Sequence, residues 1–72
     1  MEYTVLIHDA EEGGYWGEVP ALPGCFSQGE TVDEMLCNLR DAIRSHIAAL
    51  KEEGLSVPTD NGLVLARVAV PV

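Results

Sequence analysis

The pattern of side chains along the first nineteen residues predicts a β-hairpin. Residues 3–8 are rich in β-branched and aromatic types, and apolar side chains fall on both faces, which predicts a central strand covered on two sides. The polar stretch 9–14 ends in two glycines and predicts a turn. Residues 15–19 predict a second strand, with Trp16 and Glu18 on the same face.

The segment 19–31 joins this hairpin to a helix and interrupts regular structure. Pro20 and Pro23 each lack a backbone N–H and hold φ near −65°. The pair Pro23-Gly24 predicts a turn with proline in the second position and glycine in the third. Residues 25–28 predict a short third strand at an edge of the sheet.

Apolar side chains at a spacing of three and four predict one long helix over residues 32–53. Thr31 and Glu34 match a capping box at its start, and Gly54 stands where a left-handed C-terminal cap is expected. The helix would be about 33 Å long at 1.5 Å per residue. Its apolar stripe consists of Val32, Leu36, Leu39, Ile43, Ile47 and Leu50, widened by Met35, Ala42 and Ala49.

A nearly continuous apolar run, residues 63–70, predicts a last strand buried on both faces. A connector over residues 55–62 precedes it. The sequence therefore predicts an α+β fold of βββαβ order, in which an antiparallel strand meander is covered by one long helix. We expect residues 1–72 to form a single domain.

The net charge and the short length of the chain indicate which classes of molecule it can bind. Twelve acidic and four basic residues give a net charge of −8, and three of the four cations lie on the predicted helix. A chain this acidic would repel nucleic-acid phosphates unless its few cations were clustered, and we expect no direct nucleic-acid binding. The charge would attract a basic protein, or it serves only solubility. Since a chain this short buries only about 60% of its unfolded surface, we expect a homodimer or larger homo-oligomer.

The two cysteines and the absence of long apolar runs bear on location. Cys25 and Cys37 are too few to indicate a disulfide framework, although one disulfide between them is compatible with the sequence. No secretory signal is recognisable, and no apolar run approaches the ~20 residues that a membrane span needs. We therefore expect a soluble cytoplasmic protein with reduced thiols and no membrane partner.

Candidate chemistry is sparse. No Ser/His/Asp set, phosphate-binding glycine loop or zinc-ligand spacing is present, and we interpret His8 and His46 as surface or structural residues. We expect no catalytic residue, cofactor or metal site. Trp16 and Phe26 are either core residues or interface anchors. The acids that could build a two-metal nuclease site are Asp9, Glu11, Glu12, Glu18, Asp33 and Glu34.

Four short motifs follow one another at a defined separation. They are Gly14-Tyr15-Trp16, Val19-Pro20, Leu22-Pro23-Gly24-Cys25 and Gly29-Glu30-Thr31. Together they resemble the HicB-like antitoxin family over nearly the whole chain, and Gly54 and Pro58 match the last element of the family pattern. Met35 departs from that pattern, which more often has a small alanine there, and this could alter packing in the first helical turn.

The resemblance implies a partial ribonuclease H-like fold and a role as a non-enzymatic antitoxin. Family members bind and neutralise HicA, a small basic toxin that cleaves mRNA, and they form dimers or larger assemblies. Many carry a C-terminal DNA-binding domain, which we do not expect here because the sequence ends after the last predicted strand. We expect the partner to contact exposed acids and strand-edge aromatics, namely Asp9, Glu11, Glu12, Trp16, Glu18 and Phe26.

Two other functions stay open at this point. One is a structural or regulatory domain of the same fold that has no toxin partner. The other is a metal-dependent nuclease, for which Asp9 and Glu18 would be the first residues to replace with alanine.

Overall fold

A computed structural model describes residues 1–60 and 64–72. Its elements are β1 (Leu6–Asp9), β2 (Tyr15–Glu18), β3 (Phe26–Gly29) and α1 (Val32–Glu52). The strands form one antiparallel sheet in the order β1-β2-β3. The predicted α+β arrangement, a meander followed by one long helix, is confirmed.

The loop between β2 and β3 is part of the core. Its backbone closes on itself, since the Val19 N–H donates to the carbonyl of Cys25 at 3.1 Å and the Leu22 N–H donates to the carbonyl of Val19 at 2.9 Å. The Cys25 N–H donates to the carbonyl of Leu22, and Gly24 has φ +85°, which confirms the predicted turn at Pro23-Gly24. Among the described residues, the buried apolar side chains are Val19, Leu22, Cys25, Met35 and Leu39.

Both ends of α1 are capped as the sequence predicts. The Thr31 hydroxyl accepts a hydrogen bond from the Glu34 N–H at 3.1 Å, although the Glu34 carboxylate makes no return bond to Thr31 within the described part of the chain. At the other end Gly54 has φ +73°, and the Leu55 N–H donates to the carbonyl of Leu50. This is the Schellman arrangement that ends many helices.

The start of α1 lies very close to the sheet. A Cβ built on Gly29 would be 2.5 Å from the Met35 nitrogen and 2.9 Å from its Cα. A Cβ built on Gly17 would instead meet the Met35 sulfur at 2.6 Å. The two glycines therefore let the helix approach, and Met35 fills the remaining space without any exposed surface.

The predicted last strand is wrong for the residues that can be compared. Residues 64–72 carry no strand and are exposed, and Leu63 lies outside the described residues. A strand needs the backbone of a neighbour, and the sheet of this chain ends at β1 with no fourth strand among residues 1–60 and 64–72. The observed order is therefore βββα, and β1, predicted to be covered on two sides, is an edge strand.

A candidate partner-binding face

One face of the sheet is left uncovered by the helix. Gly17 contacts Met35 of α1, so its neighbours Trp16 and Glu18 point to the opposite side of the sheet. The strand pairing places His8 beside Trp16, and Phe26 beside Glu18. We call this side of the sheet the outer face.

Three side chains on the outer face hold one another in place. The rings of His8 and Trp16 are stacked, with centroids 4.2 Å apart and planes at 18°. His8 Nε2 lies 2.8 Å from Glu18 Oε2, and both side chains are partly exposed. The interpretation of His8 as a structural residue agrees with these contacts, but the contacts also place it within the candidate site. His8 alternates with Ile7 along β1 and therefore points away from the face that Ile7 shares with Gly17, and this alternation is the feature that could have predicted its position.

Phe26 is the most exposed aromatic side chain of this face. It is 66% exposed and borders a shallow recess together with Trp16, Ser27 and Gln28. The structure excludes the core alternative, because neither Trp16 nor Phe26 belongs to the buried core. An exposed aromatic ring on a strand can anchor a partner through buried apolar area.

A second recess, which we call the acidic recess, lies at the end of the sheet formed by the β1–β2 turn. It is reached from the outer face, because His8 and Trp16 border it. No Lys or Arg is present among the described residues around it. The acids that border it are Asp9, Glu11, Glu12, Glu30 and Glu34.

The predicted contact residues thus form two adjoining groups. Trp16, Glu18 and Phe26 share the outer face, whereas Asp9, Glu11 and Glu12 belong to the turn at its end. The residues that sequence reasoning missed are His8, Glu30 and Glu34. The capping box predicts a role for the Glu34 side chain, yet only the Glu34 backbone N–H takes part in the cap.

The cations of α1 occupy a different part of the surface. Arg40 and Arg44 border a groove between the helix and the N-terminal residues 1–5. Charge is therefore segregated, with acids concentrated at the β1–β2 turn and the helix start, and arginines along the middle of α1. Such separation orients a charged partner as it approaches.

The structure also bears on metal ligands, on the two thiols and on membrane-spanning helices. Residues 1–60 and 64–72 contain no group of three or more His, Cys, Asp or Glu side chains positioned to hold a metal ion. Both thiols are free. Cys25 is buried, and desolvation raises its pKa, whereas Cys37 is exposed on the helix. No described helix is long and apolar enough to cross a membrane.

A strand meander covered on one face by a single long helix, with an uncovered acidic and aromatic face, defines a small α+β domain of the βββα type. The chain belongs to the HicB-like antitoxin family of bacterial toxin–antitoxin systems, since the model of that family matches residues 3–69.

Several proteins resemble the chain over most of its length. A UPF0150 protein of Thermoplasma acidophilum is 51% identical over 61 residues, which cover 85% of this chain and 88% of that protein. A UPF0150 protein of Synechocystis is 46% identical over 56 residues, or 78% of this chain and 81% of the relative. An uncharacterized 14.9 kDa protein of Haemophilus phage HP1 is 38% identical over 61 residues, which make up 45% of its length.

Proposed function

We propose that this protein is a cytoplasmic antitoxin that binds a small basic HicA-type mRNA-cleaving toxin and neutralises it by protein–protein contact. It acts without catalysis or a cofactor of its own and without binding nucleic acid directly, and its working form is a homodimer or a larger homo-oligomer. Family membership supports the antitoxin role, and the acidic recess supports the basic partner.

The observation that carries the proposal is the concentration of charge beside exposed aromatics. Five carboxylates border the acidic recess, and no described Lys or Arg lies among them. An mRNA-cleaving toxin needs cations to hold phosphates, so an acidic surface competes for the same residues. Long-range attraction steers the encounter, and the acids of the β1–β2 turn then pair with the cations of the toxin.

The outer face supplies the apolar part of the contact. The exposed ring of Phe26 offers apolar area that a partner can bury, and stacking on His8 holds Trp16 in a fixed orientation. A fixed aromatic ring loses little conformational entropy when it is buried, which favours its use as an anchor. The acids raise the association rate and orient the toxin, and the buried aromatic rings lower the dissociation rate.

The test is co-expression with a small basic HicA-type protein, sought in the gene adjacent to this one. The unchanged protein should restore growth and co-purify with the toxin. The double variant Glu11→Lys and Glu12→Lys should lose rescue and bind at least tenfold more weakly, because two attractive charges become repulsive. The matched control is Glu52→Lys and Glu53→Lys, which makes the same charge change at two exposed positions at the far end of α1 and should rescue normally.

Two outcomes would overturn the proposal. Failure of the unchanged protein to rescue growth or bind the toxin would favour a structural or regulatory domain without a toxin. Equal loss of binding in both double variants would show that total charge acts, rather than the acidic recess.

A further inference from the structure

The C-terminal segment, which we define as residues 64–70, is apolar and exposed and pairs with no strand in the described part of its own chain. Its exposed side chains include Val64, Leu65, Val68 and Val70, and Val68 is 82% exposed. Alternate residues 64, 66, 68 and 70 are Val, Ala, Val and Val, so one face of an extended segment would be wholly apolar. Such a contiguous exposed surface marks an interaction site.

The shape of the molecule shows how much surface is left open. The chain exposes 5682 Å², against about 4,400 Å² for a compact monomer of its mass. Its radius of gyration is 14.2 Å, against about 11 Å for a compact domain of this length. The exposed surface beyond that of a compact monomer is larger than the ~800 Å² that each partner of a standard interface buries.

The rest of the molecule offers a surface that such a strand fits. β1 is an edge strand, so one side of its backbone has no strand partner in the described part of the sheet. Beside it runs the groove between residues 1–5 and α1, which we call the helix groove. Its apolar walls include Leu36, Ile43 and Ile47, and Leu36 remains 37% exposed although it belongs to the predicted core stripe.

The opposite edge of the sheet is less open. The Asn38 side chain of α1 donates a hydrogen bond to the carbonyl of Gln28 in β3 at 2.8 Å. α1 also packs mainly against β3. An added strand therefore meets fewer obstacles at β1 than at β3.

The connector after the helix brings the chain to the same end of the sheet. The Tyr3 hydroxyl donates to the carbonyl of Pro58 at 2.6 Å, and the Thr4 hydroxyl donates to a carboxylate oxygen of Asp60 at 2.7 Å. Although the connector is fixed next to the start of β1, residues 64–70 do not pair with β1 in the single chain. The connector therefore brings Asp60 next to the residues that lead into β1, whose outer edge has no strand partner in the described part of the sheet.

Charge favours a second copy of this chain as the occupant. Arg67 is the one Lys or Arg of the sequence outside α1, and residues 64–72 contain no acid. The segment therefore brings no negative charge to a molecule of net charge −8. Arg67 alternates with Ala66 and Val68, so in an extended segment it points away from the helix groove and from the Arg40 and Arg44 that border that groove. It is the part of the chain that a second acidic copy repels least.

We propose that two copies exchange their C-terminal segments. Residues 64–70 of each copy pair with the free edge of β1 in the other, and the face formed by Val64, Ala66, Val68 and Val70 covers the helix groove. The contact is reciprocal, as a two-fold dimer requires. It closes both exposed β1 edges and completes a core of five buried side chains. It specifies the homodimer named in the proposed function and does not rest on toxin binding.

The first experiment compares the mass of full-length variants by sedimentation equilibrium. The unchanged chain should have twice the 7.8 kDa mass of one chain. Val68→Lys should weaken the dimer at least tenfold, because a charge would enter the apolar contact. Val72→Lys, the same change at an exposed valine beyond the proposed strand, should alter it less than threefold. A monomeric unchanged chain, or equal dimerisation of both variants, would overturn the proposal.

The second experiment separates exchange from a segment that folds back onto its own chain. A mixture of chains labelled with ¹³C and unlabelled chains should give filtered NOE contacts between Val68 methyl groups of one copy and β1 of the other. Contacts of Val68 with β1 that appear only within one labelled chain would refute the exchange. Toxin binding by Val68→Lys, measured separately, reports on the proposed function and leaves this result unaffected.

Discussion

At the scale of single residues, two glycines decide how closely the helix approaches the sheet. Gly29 faces the backbone of α1, which cannot move without moving the helix, whereas Gly17 faces the end of the Met35 side chain. The same added methyl group therefore meets a rigid neighbour at one position and a flexible one at the other. By sequence, Gly17 lies within the second predicted strand and Gly29 directly follows the third, and neither position indicates what an added methyl group would meet.

We predict that Gly29→Ala destabilises the protein more than Gly17→Ala. Overpacking against a backbone should cost about 3 kcal/mol or more, and overpacking against a movable methionine about 1 kcal/mol. Urea denaturation of both variants, followed by circular dichroism, measures the two free energies of unfolding. Equal values would mean that the sheet shifts away from α1 as a unit.

At the scale of elements, local chemistry sets where α1 begins and ends, whereas tertiary contacts decide which loop residues are buried. α1 begins and ends where its caps predict, because a hydroxyl acceptor and a glycine with positive φ act within one turn of chain. The segment before it behaves differently. Val19, Leu22 and Cys25 stand in a proline-rich linker by sequence, but their side chains form more than half of the buried core.

We predict that Thr31→Ala lowers the free energy of unfolding by about 1 kcal/mol, because the Glu34 N–H loses its acceptor. Thr31→Ser keeps a hydroxyl at this position and should remain close to the unchanged protein. Thermal unfolding of the three proteins checks the order. An alanine variant as stable as the serine variant would show that the cap contributes nothing.

At the scale of the whole molecule, charge and apolar surface lie at different places. Carboxylates concentrate around the acidic recess, while exposed valines and leucine occupy residues 64–70. Association with a basic toxin and association with a second copy can therefore use separate surfaces. Charged surfaces respond strongly to salt, and buried apolar contacts respond weakly.

We predict that the two associations respond differently to salt. Raising ionic strength from about 0.01 M to about 0.15 M should slow association with the toxin at least tenfold and change dissociation little, because screening removes long-range steering. The homodimer should be unchanged or tighter, since screening weakens repulsion between acidic copies. Stopped-flow binding and sedimentation at both salt concentrations measure this. A toxin association rate that does not depend on salt would contradict the role of the acidic recess.

The sequence predicts the parts of the candidate site that depend on strand alternation and on turn chemistry. The alternation of β2 predicts that Trp16 and Glu18 share a face, and the acids of a glycine-ended turn are exposed in almost any fold. The stacking of His8 on Trp16 depends on strand register, and the arrival of Glu30 and Glu34 beside the turn depends on how β3 leads into α1. Neither is a property of neighbouring residues.

The sequence by itself determined the elements that short-range chemistry controls: a hairpin, the turn at Pro23-Gly24, and a helix capped by Thr31 and Gly54. It also determined the family, because Val19 to Thr31 combines motifs at a defined separation. The tertiary structure alone decided that Leu22 is core and that residues 64–70 form no strand within one chain. The physical reason is that burial and strand pairing depend on which surfaces meet, and an apolar pattern does not specify its neighbour.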